Sequence, residues 1–442
     1  SMTQLLLTLV SALALSTAHA AEPAPLVADL SLSEALERFA DDSPLLAEVH
    51  GRVDEAQAGA RMASVGVQPM VIATGGFVVN NAEAVVSLGS ILSSLQLPVD
   101  PATLPPDLII QPKQQWTTGL SAKVPLIVPS AWASRTAARR GVTAAQAGAD
   151  AAELTAQAGL VRAAWGAWVA NEQVTVLDAA LQSARAHHDS VARRTQAGLG
   201  TPLDVLAAET EVLRREREWL GAIAQLDGAR RAVGGLMGVE GAVRISVPDV
   251  DRLPSLGPSS VSEHPQIRAS EAQQSAARAA SHAAAWRHSP TLSGSAALMA
   301  SDVPYATGET TFWRVGLDLN WVLYDGGARY GLADQAAAQR TQTEASGRRV
   351  ALDLSRALAD AEQAETTAVQ TLALAESGAS TATVAEATAT RLYEGGLARS
   401  LDVLDAQQRR LEADLALAGA TAAVATARVD RLLAMGQPWP TP

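Results

Sequence analysis

The chain has 442 residues, 48% apolar but only 4% aromatic, so alanine supplies much of its hydrophobic content and a compact enzyme core is a poor fit. Its 34 basic and 46 acidic residues leave a formal net charge of −12, which argues against a nucleic-acid footprint. Cysteine is absent, excluding disulfides and thiolate metal sites.

Leu5 to Leu15 forms an apolar core, followed by Ala18-His19-Ala20 and Ala21, a small-x-small cleavage pattern. That core is too short to cross a bilayer as a helix. Residues 1–20 therefore read as an export signal, although no Lys or Arg precedes the core and the chain opens Ser1-Met2. A polar, proline-containing arm follows from Ala21 to Leu30. Ser31 and Glu34 then have capping-box spacing and open a helix directed towards Ala63.

Residues 21–240 form a first structural unit. A strand is expected over 70–79, then an outer loop over 80–115 rich in Pro, Ser, Asn and Leu, then a strand over 116–127. In the second strand Trp116, Thr118, Leu120, Ala122, Val124 and Leu126 alternate with Thr117, Gly119, Ser121 and Lys123. Helices are expected over 131–197 and 202–237, and a linker over 241–262.

A second unit, 263–436, repeats the order. Strands are expected over 291–300 and 313–324, helices over 328–394 and 401–435, and a tail over 437–442. Trp313, Val315, Leu317, Leu319, Trp321 and Leu323 form the apolar face of the fourth strand. Such alternation alone also fits a soluble sandwich. The export signal and the paired Trp116 and Trp313 favour an outer-membrane barrel, with Trp116, Trp313, Trp321 and Tyr324 at the lipid–water interfaces.

The two units echo each other in detail. Gly198-Leu199 and Asp204-Val205-Leu206 recur at Gly396-Leu397 and Asp402-Val403-Leu404, and Met237-Gly238 recurs at Met435-Gly436. The common offset is 198 residues (396 − 198), too long for a solenoid, and it implies an internal duplication of one large unit. Four strands cannot close a membrane barrel, so a lipid-embedded sheet requires other copies of the chain.

With these turns and strands the chain resembles the TolC-type outer-membrane efflux proteins over residues 31 to 436. The resemblance implies a mixed α and β membrane protein. Four transmembrane β-strands per chain would contribute to a trimeric 12-stranded β-barrel, continued by a long periplasmic α-helical barrel. It implies a homotrimer in outer-membrane lipid, partnered by a periplasmic adaptor protein and an inner-membrane pump, with no cofactor. Gly198, Leu199, Gly396 and Leu397 would sit at the tips that meet the adaptor. Asp402 and Asp405 match acidic residues of the constricted pore entrance, and Asp204 is the first-unit partner of Asp402. Ala207 stands where the first unit would repeat Asp405. Tyr393 matches an aromatic of the closed entrance. The family's basic residue falls at Ala398, but this chain carries Arg399 next door, which puts the detailed closing network in question. A capping role for Asp402 is the local alternative.

No phosphate loop, His-Glu-x-x-His motif or nucleophile–base pairing is present, so catalysis and a bound metal are not expected. The neighbours His187 and His188 read as a solvated pair, and Glu209, Glu211, Glu216 and Glu218 as surface partners of arginine. The expected function is an export duct for substrates delivered by the pump and adaptor. The alternative is a trimeric, barrel-anchored coiled-coil protein with a structural or adhesive role.

Overall fold

A computed structural model describes residues 25–87, 91, 94, 108–250, 261–305 and 308–439. The export-signal reading and much of the expected outer loop lie outside these residues.

In chain order the elements are β1 (Leu26–Ser31), α1 (Leu32–Asp42), α2 (Pro44–Ser64), β2 (Met70–Val79), β3 (Ala84–Val86), β4 (Leu108–Gln111) and β5 (Gln114–Ile127). Then come α3 (Pro129–Gln196), α4 (Pro202–Leu236), β6 (Ala242–Ser246), α5 (Pro265–Ala285), β7 (Thr291–Ser301), β8 (Thr311–Asn320), α6 (Ala328–Glu394) and α7 (Ser400–Met435). At 68 and 67 residues, α3 and α6 are each about 100 Å long.

Contacts divide the chain into two units. The first comprises Ser1–Val53, Gln146–Ser270 and Gly347–Pro442. Its core joins Leu36 and Phe39 of α1 and Leu46 of α2 to Leu160, Val161 and Trp165 of α3. Val233 of α4, Val243 and Ile245 of β6, and Val424, Ala425 and Val429 of α7 complete it. The many alanines on the long helices let neighbouring backbones approach closely.

Helix ends in this unit are specified locally. Ser31 accepts the Glu34 N–H at 3.3 Å, and the Glu34 carboxylate accepts the Ser31 N–H at 2.8 Å, a reciprocal cap on α1. Gly238 (φ 73°) ends α4 and Gly436 (φ 72°) ends α7, each in the left-handed region. The Ser43 hydroxyl donates to the Leu236 carbonyl at 3.2 Å, and His264 Nε2 lies 2.8 Å from the Leu433 carbonyl. Thus the residue before Pro44 and the residue before Pro265 each satisfy the last turn of the helix ending beside them.

Two segments read as an arm and a linker contain strands instead. β1 pairs in parallel with β6, from Leu26 opposite Ala242 to Ser31 opposite Ser246, and Arg244 Nε donates to Asp29 at 2.9 Å. Alternation is confined to Val243, Arg244, Ile245 and Ser246, and each segment needs the other to satisfy its backbone groups.

The second unit comprises Asp54–Ala145 and Glu271–Ser346. Its sheet has the order β2-β5-β7-β8, antiparallel throughout, with β2 and β8 at the edges. Register sorts the side chains into two faces. Val71, Leu120, Leu298, Val315, Leu317 and Leu319 share one with Phe77, Trp116 and Trp313; Thr117, Ser121, Lys123, Ser295, Arg314 and Asp318 share the other. Every residue of β8 is exposed in the single chain, including its apolar face.

Within the segment expected as a loop over 80–115, β3 pairs with β4, and β5 already begins at Gln114. The strand expected over 313–324 ends at Asn320. Trp321 donates its indole N–H to the His288 carbonyl at 3.2 Å, and Arg329 reaches back to the Leu323 carbonyl. Asp325 accepts the backbone N–H of Gly327 and of Arg329, so the chain turns into α6 rather than extending the ladder.

Candidate functional site

Two helical turns in the first unit carry the residues singled out from sequence. At the first, Gly198 N–H donates to Thr195 O at 3.0 Å and Leu199 N–H to Arg194 O at 2.9 Å. At the second, Gly396 N–H donates to Tyr393 O at 3.0 Å and Leu397 N–H to Leu392 O at 2.8 Å. Both are Schellman motifs, with φ of 76° at Gly198 and 75° at Gly396. The residue after such a glycine usually folds back onto the helix. Here Leu199 is 69% and Leu397 80% exposed.

The next helices start with matched acids. Asp204 accepts the Thr201 N–H at 3.1 Å and the Thr201 hydroxyl at 2.7 Å. Asp402 accepts the Arg399 N–H at 2.8 Å and the Arg399 guanidinium at 3.1 Å. The Arg399 side chain offers no acceptor, so charge replaces the threonine half of the cap. The hydrogen-bonding Arg399 guanidinium, helped by its backbone N–H, holds the Asp402 carboxyl below the usual carboxylate range. Asp405 is exposed one turn along the same helix.

Tyr393 is buried with Val191, Ala208 and Val403, and Val205, Ala389 and Ala398 pack around them. Its ring lies 4.9 Å below the Arg194 guanidinium carbon and 5.3 Å from the His187 ring. Burial raises the Tyr393 phenol above its ordinary pKa. Ala398, where the resemblance implies a basic residue, packs against this cluster.

His187 differs from the solvated reading. It is buried, its Nε2 lies 3.0 Å from the Ser400 hydroxyl, and burial lowers its pKa, with the neighbouring His188 adding to the effect. Farther from the turns, the Ser183 hydroxyl donates to Glu386 at 2.7 Å, while Arg410 pairs with the other Glu386 oxygen at 2.5 Å. Gln407 donates to Ser183 at 2.9 Å. Arg215, read as one of a set of surface pairs, is buried between Glu211 at 2.7 Å, Glu218 at 3.1 Å and Gln408 at 2.6 Å. Adjacent-residue reasoning does not reveal which of two histidines or arginines points inward; the helix face does.

In the second unit Trp116 stacks on Phe77 at 4.5 Å between ring centres, and Trp313 stands opposite Leu298. Trp321 and Tyr324 lie beyond the end of β8 and are exposed, as are Trp132, Trp286 and Tyr330. Phe77, Phe312, Trp132 and Trp286 were not singled out from the sequence, although the apolar–aromatic pattern extends to them.

The family model described as "Outer membrane efflux protein" matches residues 33–239 and 256–437. The chain belongs to the outer membrane efflux protein family. Solved structures share its fold. VceC of Vibrio cholerae is 21% identical, with a TM-score of 0.74 over 92% of this chain and 97% of that one. CmeC of Campylobacter jejuni is 16% identical, with a TM-score of 0.77 over 92% and 85%. MtrE of Neisseria gonorrhoeae is 17% identical, with a TM-score of 0.74 over 93% and 91%. A comparison with curated protein sequences finds no match.

As a member of the outer membrane efflux family, the protein is an outer-membrane channel for export and a transporter rather than an enzyme. Family membership decides against the adhesive alternative. Among the described residues no helix is long and apolar enough to cross a membrane.

Proposed function

We propose that three copies of this chain form a 12-stranded barrel continued by a helical tunnel, through which substrates leave an inner-membrane pump and its periplasmic adaptor. The observation that carries this reading is the amphipathic sheet with two open edges, β2 and β8. In lipid, unpaired backbone groups are prohibitively costly, so β8 of one copy must pair with β2 of the next. Three sheets of four strands give twelve, an even number within the range of known barrels. The apolar face turns to lipid and the face with Thr117, Lys123, Arg314 and Asp318 lines the lumen. Trp116 and Trp313 mark one interface; Trp321 and Tyr324 mark the other.

The exposed Leu199 and Leu397, held out by Gly198 and Gly396, dock the adaptor's helical hairpin. Asp402, Asp405 and Asp204 line the tunnel mouth, and three-fold symmetry would gather the first two into a ring of carboxylates that attracts cations. Tyr393 and Arg399 brace the mouth from within each chain. The repeated turn geometry at Gly198 and Gly396, and again at Gly238 and Gly436, supports an origin by internal duplication.

The test is a purified outer-membrane fraction run with and without heating, followed by single-channel recording. Heat-dissociable trimers with cation-selective conductance are expected. A monomer without channel activity would remove the reading.

A further inference from the structure

Arg230 of α4 carries a buried charge, 6% exposed, without an acid beside it. Its Nη2 donates to the Asn171 side-chain carbonyl at 3.1 Å, and among the described residues no carboxylate lies within ion-pairing distance of it. Asp29 of β1 is held by Arg244 of β6 instead. Burial lowers the Arg230 pKa, as does the charge of Arg244, while Asp227 and Asp29 oppose them through space. A guanidinium taken out of water without a counter-charge is costly.

The second half of the chain shows what is missing. Arg428 of α7, 198 residues later, is half-buried and has its acid. Its Nε lies 3.2 Å from one Glu365 oxygen on α6, and Arg431 reaches the other oxygen at 2.9 Å. The first-half counterpart of Glu365 is Ala167, so the first half keeps the arginine and lacks the carboxylate. At that place it has a hollow of about 340 Å³, within the size range of small-molecule sites. Ala167, Trp168 and Asn171 of α3 line it together with Arg230, Arg244, Ile245 and Val247. Arg230 supplies the unmatched charge, and Trp168, Ile245 and Val247 supply an apolar wall.

We infer that this hollow binds a small organic carboxylate with an apolar body, its carboxylate pairing with Arg230 as Glu365 pairs with Arg428. The guanidinium fork accepts the two carboxylate oxygens side by side. The hydrocarbon body covers the apolar wall, which inorganic phosphate would leave facing water. All the lining residues belong to the first unit of a single chain, so the site stands apart from the ring of copies proposed above.

The test is calorimetric titration of the full-length protein in detergent with 4-phenylbutyrate, with the neutral 4-phenyl-1-butanol and with inorganic phosphate. The acid should bind once per chain and at least about tenfold more tightly than the alcohol, as expected for hydrogen bonds to a charged group. Phosphate should not displace it. Arg230→Gln, with helix content unchanged, should weaken binding by a similar factor. Ala167→Glu supplies the missing acid from the chain itself, so it should abolish binding and raise the melting temperature. Ala167→Gln, of the same size without the charge, should not raise it. Should Arg230→Gln fail to fold, the two Ala167 variants decide. Absence of binding by 4-phenylbutyrate, equal binding of acid and alcohol, or unchanged affinity in Ala167→Glu overturns the site. Binding of phosphate in preference to 4-phenylbutyrate overturns the assignment to an organic acid.

Discussion

Asp402 accepts three hydrogen bonds from Arg399, one from its backbone N–H at 2.8 Å and two from its guanidinium at 3.1 and 3.4 Å. The same carboxylate thus starts α7 and is partly neutralised, whereas Asp405 is exposed on the next turn. The proposed ring of charge should therefore depend mainly on Asp405. Asp405→Asn should shift the reversal potential in a salt gradient further than Asp402→Asn, and Arg399→Gln should increase cation selectivity. A larger effect of Asp402→Asn would reverse this assignment. Since Asp402 has a depressed pKa in the folded chain, its contribution to the helix start is full above its unfolded pKa. It is lost as pH falls through the folded one.

His187 should make the packing around Tyr393 sensitive to acid. Burial lowers its pKa, so a frayed state takes up a proton more readily than the packed one. Stability of this contact is full above the unfolded value, about 6.5, and declines as pH drops below it towards the folded value. The groups around it are Tyr393 on α6, Ser400 on α7, and His188 and Arg194 on its own helix. Amide protection factors over residues 183–191, taken relative to intrinsic exchange at each pH, should fall between pH 7.5 and pH 5. His187→Gln should abolish that fall; an identical fall in the variant would assign it elsewhere.

The left-handed glycines that end the long helices, Gly198, Gly238, Gly396 and Gly436, should not be equivalent. A Cβ on Gly198 meets nothing within 4 Å, so Gly198→Ala costs the backbone strain alone, about 1 kcal/mol. A Cβ on Gly436 would lie 2.7 Å from Pro265 Cδ and 2.9 Å from His264 Cα. Gly436→Ala should lower the melting temperature clearly more than Gly198→Ala or Gly396→Ala by calorimetry. Equal losses would mean that the joint at Pro265 yields freely.

Leu199→Ser and Leu397→Ser should leave stability within about 0.5 kcal/mol, because both side chains are exposed. Affinity for an adaptor's helical hairpin, measured by calorimetry or surface binding, should fall. Unchanged affinity in the double variant would place docking elsewhere.

Much of the fold and part of the site were legible from local signals. Long alanine-rich runs free of proline specify helices through bonds made only a turn away, and Gly198 and Gly396 mark their ends because few other residues adopt a left-handed backbone cheaply. Period-two alternation from Trp313 to Leu319 similarly encodes a strand with one apolar face. Less legible were features that depend on a distant partner. The same alternation continues through Trp321 and Leu323, yet the backbone leaves the sheet because Asp325 caps the following helix. β6 alternates only over Val243 to Ser246 and β1 does not alternate, and the two exist as a pair.

Helices, sheet strands and turns follow from the order of residues alone, since each is signalled by neighbours within a few positions. Packing between helices sets the rest: His187 faces Ser400 while His188 does not, Arg215 is buried, and Leu411 is covered while Leu213 is bare. Those outcomes depend on which helix lies against which, and one-dimensional spacing states the face of a helix but not what stands opposite it.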